Sequence, residues 1–269
     1  MKIRSEPSPL PTTRKMQLGI ILIEHFFDVV ICSFYVFAFA FPLLFWLIYI
    51  NLTNVASIDE TNYLFNSLII NLPLVPGIMI FGLGIVGSLF FFKKLAFNEG
   101  SNVHTDFFLG IKKNYKQSLL SFFVVGLTYS LLCIAKNVLI FGSGLDPIYI
   151  GIITGIMYVL MFFVLAFASF ITTQSILYNA TQGQLFTNAF RFIAGKPLKN
   201  LGIFVIMFVP FILYEFLPFN IAHWIIFGVC AIWHFGFSSL IFSLYSFYMF
   251  DLTLNKTYVE IYRKGLREE

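Results

Sequence analysis

Charged side chains are scarce in this chain. They make up 11% of its 269 residues, whereas hydrophobic residues make up 59% and the mean hydropathy is +0.86. A soluble domain carries about 25% charged residues and needs them to cover its surface. A chain this apolar needs lipid as its solvent. The composition therefore excludes a soluble enzyme, a secreted disulfide scaffold and a nucleic-acid-binding domain.

Motifs for catalysis and for metal binding are also missing. The three cysteines, Cys32, Cys133 and Cys230, stand far apart in apolar runs, without the spacing of a disulfide framework or a metal site. Gly195-Lys196 is followed by proline, so it is not a P-loop, and no HExxH sequence occurs. We therefore expect no cofactor and no metal, and we predict that the chain is not an enzyme.

Six apolar runs are long enough to cross a bilayer, which takes about 17–25 residues per helix. They cover residues 29–50, 76–92, 118–135, 147–178, 201–217 and 221–250. Pro73 and Pro76 are expected to break the chain where it enters the second run. The predicted fold is an all-α polytopic membrane protein with about six transmembrane helices.

The cations give the orientation of these helices. Lysine and arginine cluster in the N-terminal tail, after the second run, after the fourth run and in the C-terminal tail, while Lys136 lies on the other side. Cations concentrate on the cytoplasmic side, so both termini are predicted to be cytoplasmic, in a bacterial plasma membrane. This topology, together with attraction to anionic lipid, explains the basic pI without a nucleic-acid partner.

The predicted organisation is one domain with two tails. Residues 1–28 form a cytoplasmic tail and an interfacial helix, residues 29–250 the six-helix transmembrane domain, and residues 251–269 a second cytoplasmic tail. Within the domain, residues 51–75 form the one substantial outer loop. Residues 93–117 and 179–200 form cytoplasmic segments.

Each of these cytoplasmic segments is predicted to hold a short amphipathic helix. The apolar stripes follow one spacing: Phe107, Phe108, Ile111 and Tyr115 in the first, and Leu185, Phe186, Ala189 and Ile193 in the second. Thr181 and Gln184 have the spacing of a capping box at the start of the second helix. Such helices either lie on the membrane surface or dock to a partner protein. The candidates for partner contact are Phe107, Phe108, Ile111, Asn114, Tyr115, Lys116, Phe186, Phe190 and Arg191.

Two pairs of small residues are spaced for close helix packing. Gly151 and Gly155 form a GxxxG sequence, and Gly84 with Ser88 has the same spacing. Small residues at this spacing let helix backbones approach closely, either within one chain or between two chains. Both possibilities stay open at the level of sequence.

Polar groups inside the apolar runs are few. The runs contain one carboxylate, Glu215 near an outer end, and no lysine or arginine, so the charges of an ion-coupled transporter are missing. A path for a neutral solute would be sought first at Thr172, Thr173, Gln174 and Asn179.

Two further clusters could carry chemistry. His234 and Ser238 stand one helical turn apart, as in an intramembrane serine protease, but the second catalytic helix of such enzymes has no counterpart. Glu24, His25 and Asp28 could hold a metal, although their position at the membrane border favours solvated or partner-contacting side chains.

One stretch of the chain resembles a known family. It contains Gly87-Ser88-Leu89-Phe90-Phe91-Phe92-Lys93-Lys94, then Glu99-Gly100, Asp106-Phe107-Phe108 and Lys112-Lys113-Asn114-Tyr115-Lys116-Gln117-Ser118. These residues resemble the YesL-like family of small bacterial membrane proteins, which has no assigned biochemical function. The resemblance implies a Gram-positive source and a gene beside oligosaccharide ABC importers, and it implies no catalytic residues. The longer N-terminal tail and the 51–75 loop depart from the family.

The leading hypothesis is a non-catalytic accessory membrane subunit, associated with the permease subunits of a carbohydrate ABC importer and affecting its assembly or gating. The sugar connection comes from the resemblance alone. The alternatives are a stand-alone transporter or channel for a neutral solute, and a membrane component of another assembly such as a sensor or an export complex.

Overall fold

A computed structural model describes residues 10–52, 62–216, 221–258 and 260–267, and every regular element in these ranges is helical. The helices are α1 (Arg14–Glu24), α2 (Phe26–Leu52), α3 (Tyr63–Asn71), α4 (Leu74–Ala96), α5 (Val103–Gly142), α6 (Pro147–Leu177), α7 (Gln182–Gly195), α8 (Pro197–Phe216), α9 (Ile221–Val229) and α10 (Phe235–Leu252). A π-helical turn, Cys230–His234, joins α9 to α10, and a 3₁₀ turn, Asn255–Thr257, follows α10.

Five stretches of the described chain are long and apolar enough to span a membrane. They are Phe26–Ile50, Leu64–Ala96, Val103–Gly142, Pro147–Leu177 and Trp224–Leu252. A sixth is present if α7 and the Pro197–Pro210 part of α8, which meet at an angle of 98°, count as one broken span. The all-α, multi-pass membrane architecture is therefore confirmed.

The sharp bend between α7 and α8 has a local cause. Pro197 occupies the first position of α8, where its missing N–H costs nothing. A residue before proline is pushed out of the helical region, and Lys196 accordingly has φ −145° and ψ 64°. The chain therefore ends the amphipathic helix α7 and starts α8 in a new direction.

The predicted outer loop is largely helical where the structure describes it. Residues 53–61 lie outside the described ranges, but α3 and α4 together form the span Leu64–Ala96. At the join, the carbonyls of Ile70 and Asn71 accept hydrogen bonds from Trp46 Nε1 and Ser130 Oγ, both at 2.8 Å. These side chains satisfy the backbone at the Pro73 break, as a lipid environment requires. The span is thus longer than the 76–92 run that the sequence predicts.

The first cytoplasmic segment is not a separate amphipathic helix. Residues 103–117 form the start of α5, an unbroken helix of 40 residues that is about 60 Å long at 1.5 Å per residue. Asn102 caps its N-terminus, because its side chain accepts hydrogen bonds from the backbone of His104 and Thr105. The sequence predicts that a membrane span begins at Ser118, but the helix continues through this position without a break.

Helix α4 forms the centre of the bundle, in contact with α2, α5, α6 and α10. Gly84 lies against α2, since a Cβ there would come within 2.9 Å of the Cβ of Phe39, and Ser88 is fully buried. Gly151 and Gly155 of α6 lie exposed, and a Cβ on either of them would meet no other atom within 4 Å. This GxxxG pair thus packs against nothing within the described chain, and association between chains is the possibility left open for it.

Candidate functional site

A cavity of about 190 Å³ lies in the middle of the helix bundle. Its walls come from six helices, represented by Leu43 of α2, Ile85 of α4, Val125 of α5, Met161 of α6, Met207 of α8 and Phe242 of α10. Each of these residues belongs to the central part of its helix. The cavity therefore lies within the membrane-spanning layer.

The lining is apolar except for four hydroxyl groups. Three belong to Ser169, Ser238 and Ser239, and the fourth is the phenol of Tyr129. Among the described residues that form the walls, none carries a charged side chain. A charged ligand would lose its hydration here without compensation, so the chemistry of the walls suits a neutral, mainly apolar molecule.

His234 and Ser238 are in contact beside this cavity, but not in the arrangement of a catalytic dyad. The Nε2 atom of His234 lies 2.9 Å from the carbonyl oxygen of Met207 and 3.1 Å from Ser238 Oγ. A carbonyl oxygen only accepts hydrogen bonds, so Nε2 carries the proton and donates it to Met207. The same nitrogen therefore has no lone pair with which to activate Ser238 as a nucleophile.

The polar cluster on α6 does not line a solute path. The hydroxyls of Thr172 and Thr173 donate to the carbonyls of Ala168 and Ser169 in their own helix. Gln174 donates to the carbonyls of Phe170 and Leu185, and Asn179 is exposed beyond the end of α6. Backbone bonding of this kind is what serine and threonine commonly do in transmembrane helices. These four residues therefore give no support to the neutral-solute transporter.

The two ends of the described chain meet at one end of the bundle. The backbone N–H of Arg267 donates to the carbonyl of Pro11 at 2.9 Å, and Arg14 Nη1 donates to the carbonyl of Lys264 at 3.0 Å. Lys94 pairs with Asp106 at 2.7 Å across the α4–α5 turn of the same end. We call this region, formed by α1, the α4–α5 turn and residues 254–258 and 260–267, the polar end. Its assignment to the cytoplasm stays a prediction.

A buried ion pair is the centre of the polar end. Arg14 Nη2 lies 2.9 Å from Asp251 Oδ2, and both side chains are almost fully buried. The guanidinium lies within 6 Å of the ring centres of both Phe97 and Phe247, which pack against each other. Burial lowers the pKa of Arg14, and the Asp251 carboxylate opposes that shift. Arg14 stays charged, because a guanidinium does not lose its proton in proteins.

The partner-contact candidates on α5 divide into two groups. Phe107 and Asn114 are buried within the chain, so their assignment to a contact surface is wrong. Phe107 packs against the rings of Tyr35 and Phe39 of α2, and the side chain of Asn114 donates to the carbonyl of Gly110. Ile111 is half-buried, whereas Phe108, Tyr115 and Lys116 are exposed.

The candidates on α7 all lie on its exposed face: Phe186, Phe190 and Arg191. The opposite face, with Leu185, Ala189, Phe192 and Ile193, is buried against the bundle. Of the predicted apolar stripe, only Phe186 turns outward. The capping box of Thr181 and Gln184 is present with both of its hydrogen bonds.

A groove of about 200 Å³ joins these two helices across α6. Its walls include Leu120 and Val124 of α5, Phe163 and Phe167 of α6, and Phe186 of α7. Lys116 lies exposed one helical turn from Leu120, and Phe190 lies one turn from Phe186. We call this surface the α5–α7 groove. Of the residues that the sequence selects as partner-contact candidates, Phe186 alone lines this groove.

The acidic and histidine residues at the start of α2 form one pair and no larger cluster. His25 Nδ1 lies 2.9 Å from Asp28 Oδ2, and both side chains are more than a third exposed. Within the described ranges, no group of three histidine, cysteine, aspartate or glutamate residues is placed to hold a metal ion. The side chain of Glu215 lies outside the described part of the structure.

Comparison of the chain with protein-family models, with curated proteins and with solved structures finds no match. The resemblance to the YesL-like family stays a prediction based on the residues that carry it.

Proposed function

We propose that this protein is a non-catalytic subunit of a membrane assembly, and that it binds another membrane protein through the α5–α7 groove. The observation that carries the proposal is an apolar groove that contains exposed aromatic side chains from two helices, Phe163 of α6 and Phe186 of α7. Aromatic anchors beside a pocket are the typical centre of a protein interface.

The groove suits a transmembrane helix that continues beyond the bilayer. Its floor, with Leu120, Val124 and Phe163, is apolar and belongs to membrane spans. Beyond Leu120, the exposed side of α5 carries Lys112, Lys113 and Lys116. A partner helix with an apolar segment followed by acidic residues matches this order, because opposite charges favour one register over others.

The narrower proposal follows from the family resemblance. Such a partner is a permease subunit of a carbohydrate ABC importer, and the bound subunit affects the importer's assembly or gating. A sensor or an export complex is the alternative assembly. Identification of the captured partner distinguishes these proposals, because an importer yields two permeases and an ATPase.

The first test is photo-crosslinking in the native membrane. A photoreactive phenylalanine analogue at position 186 is expected to crosslink a second membrane protein. The same analogue at position 34, on an exposed part of α2 outside the groove, is the matched control. Crosslinks to lipid alone at position 186, or equal protein crosslinking at both positions, would contradict the groove as the interface.

Substitution of the groove's aromatic anchor gives an independent prediction. Phe186→Ser is expected to lower recovery of the partner about tenfold or more, because an anchor at the centre of an interface contributes about 2 kcal/mol or more. Leu198→Ser is the control, since Leu198 is 83% exposed and does not line the groove. The measurement is quantitative mass spectrometry of the tagged protein after mild extraction. Unchanged recovery with Phe186→Ser would overturn the proposal.

A further inference from the structure

The central cavity contains polar groups that the fold itself does not use. Ser169 and Ser239 line the cavity with exposures of 7% and 3%, and neither hydroxyl has a hydrogen-bond partner in the described chain. Serine in a transmembrane helix ordinarily donates to a carbonyl of its own helix, as Ser88 and Ser175 do here. Two hydroxyls left free at a cavity wall are therefore available to a ligand.

Ser238 adds a third hydroxyl with an unused proton. Its oxygen lies 3.1 Å from His234 Nε2, whose own proton is donated to the carbonyl of Met207 at 2.9 Å. The Ser238 oxygen can thus accept from His234, but its proton has no acceptor there. The three serines come from two helices, α6 and α10, on neighbouring walls of the cavity.

From these observations we propose that the cavity binds one neutral amphiphile from the bilayer, a molecule with an alkyl body and a single hydroxyl or carbonyl group. The alkyl body occupies the apolar part of the cavity, between Ile85, Val125 and Met161. The polar group bonds to Ser169, Ser238 or Ser239. This site is separate from the α5–α7 groove, and it would exist whether or not the groove binds a partner.

Size and charge restrict the ligand further. An engineered apolar cavity of about 150 Å³ stays dry and takes up benzene, so about 190 Å³ admits a ring or a short length of chain rather than a whole lipid. A phosphate or ammonium head group is excluded, because none of the described wall residues offers an opposite charge. A short-chain alcohol or ester fits both restrictions.

Photolabelling in nanodiscs tests the proposal. The probe is a short-chain alcohol that carries a diazirine on its alkyl chain, and peptide mass spectrometry locates the adducts. The expected adducts are on wall residues such as Met161 and Met207. A phospholipid with the diazirine on one acyl chain is expected to label outward-facing residues such as Leu160 instead. Adducts of the alcohol on outward-facing residues alone would overturn the proposal.

A matched pair of variants separates the cavity from the lipid-facing surface. Met161→Trp fills the cavity and is expected to reduce the wall adducts about fivefold or more, because an overfilled cavity excludes the probe. Leu160→Trp adds the same ring one residue away, on a side chain that is 50% exposed, and is expected to leave the wall adducts unchanged. Equal adduct levels in both variants would contradict the site.

The serines have their own test, which does not depend on filling the cavity. In the Ser169→Ala/Ser238→Ala/Ser239→Ala variant, the preference for the alcohol over the alkane of equal length is expected to fall about two- to tenfold, the loss of one to two ordinary hydrogen bonds. Alanine removes only the hydroxyl and suits a helix, so folding is retained and is checked by the elution profile. An unchanged preference would show that the serines do not bind the polar group.

Discussion

Arg14→Met is expected to destabilise the protein by about 3–5 kcal/mol, because it leaves the buried Asp251 carboxylate without its cation. The same substitution removes the hydrogen bonds from the guanidinium to Gln17 and to the carbonyl of Lys264. The polar end would thus lose one of the links between α1, α10 and the C-terminal segment. The measurement is thermal unfolding of the purified protein in detergent, followed by the loss of the monodisperse elution peak.

Two control variants distinguish the effect of the buried ion pair from the effect of removing a charge anywhere at the polar end. Lys264→Met breaks the pair with Glu99, in which the lysine side chain is 40% exposed, and is expected to cost less than about 1 kcal/mol. In the double variant Arg14→Met/Asp251→Leu neither charge remains, so we expect it to recover part of the lost stability. A double variant that is as unstable as the sum of the two single variants would show that the pair itself contributes nothing.

Gly236→Ala is expected to destabilise the protein more than any other glycine-to-alanine substitution in the described membrane spans. A Cβ at position 236 would lie 2.2 Å from the carbonyl oxygen of Val29 and 3.1 Å from the Cβ of Ser33, so α10 and α2 would have to separate. Backbone atoms cannot rotate away as a side chain can. We expect a loss of about 3 kcal/mol or more, at the upper end of the usual cost of overpacking.

Gly228→Ala is the matched control for this prediction. Gly228 lies in α9, before the π-helical turn, and a Cβ there would meet no other atom within 4 Å. Alanine is a better helix former than glycine, so the control is expected to be neutral or slightly stabilising. Fluorescence-detected size-exclusion chromatography after a heating series compares the two variants. Equal stability of both would mean that the backbones of α2 and α10 do not meet at Gly236.

The hydrophobic pattern could not tell which face of α5 is buried. In water, the apolar face of a helix is the buried one, but in lipid an outward-facing phenylalanine costs nothing. The buried face of α5 includes small and polar residues such as Gly110, Asn114 and Ser118. Gly110 lies against Phe90 of α4, and Ser118 donates to the carbonyl of Gly82 at 2.9 Å. Their spacing of four residues is a signal that a search for small-residue stripes could have found.

The buried ion pair and the cavity serines carry no such signal. Arg14 and Asp251 are 237 positions apart, and each by itself resembles an ordinary charge at the membrane border. The sequence around Ser169 and Ser239 does not distinguish them from serines whose hydroxyls donate to a carbonyl of their own helix. Only the packing of α6 against α10 determines which hydroxyls face a cavity and which reach a backbone carbonyl.

The sequence by itself determined that this protein lies in a lipid bilayer, that its fold is all-α, and approximately how many helices span the membrane. These properties depend on composition and run length, because each backbone polar group in lipid must be satisfied within its own helix. It also determined the amphipathic helix α7 and its cap, since both depend on neighbouring residues.

The tertiary structure alone decided the continuity of α5, the burial of Phe107, the exposure of Gly151 and Gly155, and the position of the central cavity. Each of these depends on which helix faces which. In a membrane the apolar surroundings are nearly the same on every side of a span, so the identity of a single residue does not reveal its neighbour.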